Sequence, residues 1–158
     1  MFSKISSARG LWGALVVALT VLAAGCGKHA GEPALTPVSG VVLLDGKPLA
    51  DAKLTFYLTG CSAPGFSAST GTTDASGKYQ LNSRGRPGAV AGVFKVTISR
   101  VVSANGAAVK PDEGMDLQQL AMQGLAQESL PAEFSNFDRS TLTVTVEPGK
   151  TEGYDFNL

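Results

Sequence analysis

Few residues in this chain are equipped for chemistry. His29 is its one histidine, and Cys26 and Cys61 are its two cysteines. One imidazole cannot furnish the two or three histidines of a usual catalytic zinc site, and two cysteines make no disulfide framework. Ser67 stands in Gly65-Phe66-Ser67-Ala68-Ser69, which lacks the second glycine of a strained nucleophile elbow. A serine also needs a base, and His29 lies in a small, polar stretch close to the N-terminus, so no nucleophile–base pair is expected. Asp45 and Asp74 each precede a turn glycine without EF-hand spacing around them. Carboxylates so placed cap the backbone just after them. The inventory predicts no catalytic residue, no metal and no cofactor.

The reactive side chain with the most informative surroundings is Cys26. Residues 1–10 carry Lys4 and Arg9 without an acid, and Leu11–Leu22 is interrupted only by Gly13 and Thr20. Ala23-Ala24-Gly25 then lead to Cys26. A basic start, an apolar run and a small-residue cleavage site keep the order of an export signal. As a helix, Leu11–Gly25 would reach about 22 Å, short of the ~30 Å hydrocarbon core that an anchor must cross.

The stretch Leu22-Ala23-Ala24-Gly25-Cys26 resembles the lipobox of bacterial lipoproteins. That resemblance implies a diacylglyceryl group on the Cys26 thiol, cleavage after residue 25 and acylation of the new amine. The membrane is then a partner through the N-terminal lipid. Each buried CH₂ contributes about 0.8 kcal/mol, so several acyl chains attach persistently where a single myristoyl chain is marginal. Gly27 comes after the cysteine, where an Asp in such lipoproteins commonly marks retention in the inner membrane. The likeness thus implies the outer membrane of a two-membraned cell. Loss of residues 1–25 removes two bases and no acid, so the formal charge moves from 0 to −2. Cys61 is left as a free thiol or a small buried apolar residue.

Any such groups need elements to position them. At 158 residues and 44% apolar, the chain suits one domain. Lys plus Arg and Asp plus Glu number 13 each, a balance with no electrostatic grip on a nucleic acid. Residues 27–37 are small, polar and Pro-punctuated, the composition of a tether spanning on the order of 17–20 Å. From Val38 onward apolar residues alternate: Val38, Gly40, Val42, Leu44; Ala52, Leu54, Phe56, Leu58; Phe94, Val96, Ile98; Leu142, Val144, Val146. Period two marks strands with one buried face. Asp45-Gly46 and Asp74-Ala75-Ser76-Gly77 read as turns, the second feeding Tyr79 and Leu81. Glu147-Pro148-Gly149-Lys150 reads as another, returning to Tyr154, Phe156 and Leu158. Six or seven short strands predict an all-β sandwich. Thr59–Thr70 reads as a loop. Ser103–Arg139 is too long for a hairpin connection, and Leu117, Leu120, Ala121 and Leu125 within it suit a short helix.

Val38-Ser39-Gly40-Val41-Val42, Asp45-Gly46-Lys47-Pro48-Leu49 and Ala52 to Phe56 resemble the opening of a carboxypeptidase-regulatory-like domain. Thr73 to Tyr79, Pro87-Gly88 with Gly92 to Val96, and Leu130-Pro131 with Ser140 to Phe156 are similar to its later signatures. The likeness implies a single transthyretin-like (prealbumin-like) seven-stranded β-sandwich over 38–158, with one long, partly helical insertion at about 103–139. It speaks to fold far more than to function. Enzymes of related fold rely on histidines and, in one class, an iron-binding Tyr/His set that this inventory lacks. The expectation is a non-catalytic module of the cell envelope that scaffolds or binds a protein or glycan. A glycan-binding module is the alternative, with Phe134 and Phe137 of the insertion as ligand contacts. Tyr57 and Phe66 are the other aromatics read as outward-facing or in loops.

Overall fold

The computed structural model describes the backbone of residues 32–60, 65–109 and 117–158, and the side chains of all of these but 117–119. The leader, Cys26, His29 and Cys61 lie outside the described residues. Glu32–Leu158 forms one unit of the chain.

Two alternating segments make the centre of this unit. Lys53–Thr59 and Gly92–Ser99 pair antiparallel over seven residue pairs, Val93 opposite Thr59 through Ser99 opposite Lys53. Leu54, Phe56, Phe94, Val96 and Ile98 thereby share one face and are fully buried. Each large apolar side chain removed from water contributes about 1.5–3 kcal/mol, so this pair alone anchors a core.

In chain order the elements are β1 (Leu35–Thr36), β2 (Ser39–Leu44), β3 (Lys47–Pro48), β4 (Lys53–Thr59), β5 (Ala68–Thr72), β6 (Lys78–Gln80) and β7 (Asn82–Ser83). Next are β8 (Arg86–Pro87), β9 (Ala89–Val90), β10 (Gly92–Ser99), β11 (Val101–Ser103) and α1 (Leu117–Met122). The last are β12 (Ala126–Glu128), α2 (Ala132–Ser135), β13 (Thr143–Val146) and β14 (Phe156–Asn157). The larger sheet runs β13-β10-β4-β5-β7-β8, and the smaller runs β14-β2-β3 with β6 also on β2. Val42 of the smaller sheet joins the β4–β10 side chains in one core. Phe56 sits 6.0–6.2 Å, ring to ring, from Phe94, Phe156 and Tyr79. The fold is β-sandwich-like, with little helix among the described residues.

Turn chemistry is as the sequence pattern demands at two places. Asp45 and Gly46 have φ of 51° and 75°, the left-handed pair that a two-residue hairpin needs. Asp74 Oδ1 accepts from Ser76 N at 2.8 Å, Ser76 Oγ at 2.7 Å and Lys78 N at 3.0 Å. The Ser76 hydroxyl, then the Ser76 and Lys78 amides, hold that carboxyl below its ordinary range.

Four expectations change. Ala68–Thr72 is a strand of the larger sheet, paired with β4 from Tyr57 opposite Ala68 to Lys53 opposite Thr72, although residues 68–70 read as loop. Its inward residues are Ser69 and Gly71, too small to give an apolar alternation. Phe66, read as an outward or loop aromatic, is only 2% exposed and belongs to the core. Leu35 and Thr36, read as tether, pair with Val90 and Ala89. Finally, the chain after β13 does not double back on it. β13 pairs with β10, whereas β14 crosses to the smaller sheet and lies parallel to β2, Phe156 beside Val42.

Within 103–139 the described residues form α1, β12 and α2, and β12 pairs with β11. Gly124 N donates to Ala121 O at 3.0 Å as the chain leaves α1.

Candidate functional site

Where strand 78–83 passes between the sheets, it leaves a concavity. Lys78–Gln80 pair with β2, and two residues later Asn82 pairs with Thr70 of β5. Tyr79 and Leu81 point into the core, so Lys78, Gln80 and Asn82 point out. With outward Ser39 and Val41 of β2, Thr70 and Thr72 of β5, and Lys53 of β4, they line a groove of about 900 Å³. That volume lies within the ~300–1,000 Å³ of small-molecule sites.

The segment 151–155 forms the remaining wall and is stitched to β2. Ser39 N and Oγ both donate to Thr151 O at 3.0 Å, and Val41 N donates to Asp155 Oδ1 at 2.8 Å. Gly40 allows the approach: a Cβ there would stand 2.1 Å from Tyr154 O. The Tyr79 hydroxyl donates to that same carbonyl at 2.6 Å. Burial, and after it the Asp155 charge, raises the Tyr79 phenol far above its ordinary range. Its hydroxyl stays protonated and structural.

The groove carries both signs of charge, Lys53 and Lys78 against Asp74, Glu152 and Asp155. Asp74 and Asp155 are engaged in capping the backbone. Among the described residues, the side chains of Lys53, Thr70, Thr72, Gln80 and Asn82 make no hydrogen bond, and the ion pair of Arg86 with Glu32, at 2.8 Å, lies outside the groove. Their donors and acceptors remain open to solvent. Among the described residues, no three His, Cys, Asp or Glu side chains gather as a metal site, and no helix is long and apolar enough to cross a membrane.

The aromatic pair of the insertion lies elsewhere. Phe134, in α2, is half-buried, and Phe137 is 43% exposed. The Phe137 ring meets Tyr57 edge-on at 4.8 Å, and Lys95 Nζ stands 4.7 Å from its centroid. Tyr57 and Lys95 are cross-strand partners on the outer side of β4 and β10, so Phe137 seats the segment that follows α2 on the larger sheet. Neither phenylalanine lines the groove. Cys26, the lipidation candidate, lies outside the described residues. Sequence alone singles out none of the groove's open donors and acceptors. Their only local signal is polar, outward parity in 68–72 and 78–82, which does not tell which strands become neighbours.

Compared with protein families, curated proteins and solved structures, the chain finds no match.

Proposed function

We propose that this chain is an exported lipoprotein, held by acyl chains on Cys26 to a membrane of the cell envelope. Its body acts as a non-catalytic module that binds or scaffolds an envelope protein or glycan. In this reading the body is a transthyretin-like sandwich of the carboxypeptidase-regulatory-like kind. The two sheets, the shared aromatic cluster and the turn signatures at Asp45-Gly46 and 74–77 support that assignment.

One observation carries the proposal. A basic start and an apolar run end in Ala23-Ala24-Gly25-Cys26, six residues ahead of a β-rich unit that begins at Glu32. Leu35, the first strand residue, lies nine residue steps after Cys26. A fully extended chain spans at most ~3.6 Å per residue, so the lipid holds that strand within about 32 Å of Cys26. The module is then a membrane-proximal receptor surface, and its open polar groove is the ligand site.

Membrane fractionation and intact mass of the wild type and Cys26→Ser test the anchor. The wild type is expected in the membrane fraction with Cys26 as an acylated N-terminus, and Cys26→Ser in the soluble fraction or unprocessed. An unmodified Cys26 thiol with residues 1–25 retained overturns the proposal.

A further inference from the structure

We infer that the groove between β2, β6 and β5 takes a neutral oligosaccharide. This rests on the reading of the body as a non-catalytic binding module and supplies its ligand class.

Charge is the first indication. Two ammonium groups, Lys53 and Lys78, face three carboxylates, two of which are already engaged by backbone amides. Neither an anion nor a cation meets a uniform field there, so electrostatic steering of a charged ligand is weak. A hydroxyl group, in contrast, accepts from an ammonium and donates to a carboxylate or amide oxygen. A chain of hydroxyls is thus complementary to Lys53 and Glu152 at once, and to Thr70, Thr72, Gln80 and Asn82 between them.

The small number of large apolar side chains on the lining points the same way. Val41 and the flank of Tyr79 are the only large apolar groups on the lining, and Tyr79 is buried. An extended peptide gains its specificity from a row of pockets for alternate side chains, whereas this groove adjoins a small concavity of about 230 Å³ that shares Ser39, Gln80 and Glu152 with it. A saccharide recognised edge-on by hydrogen bonds needs no such pocket. The free side chains supply those bonds without breaking any within the protein.

The test uses the detergent-solubilised full chain, isotope-labelled for amide-shift mapping. The probes are cellotetraose, mannotetraose and chitotetraose, with tetragalacturonate and an unblocked tetra-alanine peptide for comparison. At least one neutral tetrasaccharide is expected to shift the Thr70, Thr72, Gln80 and Asn82 amides saturably. Its affinity should change less than about twofold between roughly 50 and 500 mM salt, because no net charge is neutralised. The Gln80→Ala/Asn82→Ala double variant, altering two exposed side chains, should weaken it about tenfold or more with an unchanged melting temperature. Phe137→Ala should bind as the wild type does. Salt-sensitive binding of tetragalacturonate alone, binding of the peptide alone, shifts centred on Phe137, or no saturable shift each overturn the ligand class. Failure of the module reading is separate: it shows as an unacylated Cys26 or as turnover of a saccharide, whichever amides shift.

Discussion

At the scale of single residues, Tyr79 joins two requirements. Its ring packs 6.2 Å from Phe56, and its hydroxyl satisfies the Tyr154 carbonyl at 2.6 Å, where Gly40 makes room for that backbone. Tyr79→Phe keeps the ring and orphans the carbonyl, so stability at neutral pH should fall by about 1–2 kcal/mol in urea unfolding. The pH dependence has a definite sign. The phenol is raised in the folded state, mainly by burial, whereas in the unfolded chain it ionises near pH 10. Its contribution is complete below about pH 10 and declines as pH rises beyond that, because only the unfolded state releases the proton. The alkaline decline in melting temperature should be shallower in Tyr79→Phe; equal slopes would refute that assignment. Tyr79 is legible as an inward residue from its parity. Its hydroxyl partner is not, since Tyr154 lies 75 positions away.

Among the elements, legibility tracks side-chain size. β2, β4, β10 and β13 announce themselves through Val, Leu, Ile and Phe at every second position. β5 does not, because Ser69 and Gly71 face inward. It is set by its neighbours, β4 on one side and Asn82 on the other. β14 is a subtler case: parity correctly turns Phe156 inward, but no local signal tells that the strand runs parallel to β2 in the other sheet. Segment 103–139 is held at several points: Leu130 lies in the core, Glu128 accepts from Ser99 and Arg100, and Phe137 packs on Tyr57 and under Lys95. Phe137→Ala should cost about 1–2 kcal/mol, the scale of one aromatic pair and one exposed cation–π contact. Amide exchange should quicken at Phe134 and Asn136, whose protons bond to Pro131 O and Ala132 O, while the β4 and β10 amides stay protected. Uniform loss of protection would mean that the Phe137 contacts hold the whole body and not α2 alone.

For the whole molecule, the unit from Glu32 to Leu158 contains a contiguous core fed by both sheets. A chain beginning at Glu32 is expected to give β-rich circular dichroism and a single cooperative thermal transition. A broad transition or helix-dominated spectrum would contradict this. Composition and alternation reach this scale well, for they predict a mostly β body. The groove is another matter. It arises where Lys78–Ser83 leaves one sheet for the other, and its lining comes from five strands and two loops. Outward polar residues look alike whether they face open solvent or a concavity, so only the assembled topology separates them.

The ladder between Leu35–Thr36 and Ala89–Val90 is two residue pairs long. A tug on the N-terminal side of the molecule meets the exposed Arg86–Glu32 ion pair and then this ladder, and so short a zipper gives way early. Its release lets out residues 35–37, roughly 10 Å of slack at ~3.3–3.6 Å per residue. The load then reaches β2, which is clasped by β3, β6 and the parallel β14 together, and must shear several ladders at once. Under the mooring at Cys26 proposed above, this short zipper would act as a shock absorber ahead of a rigid grip.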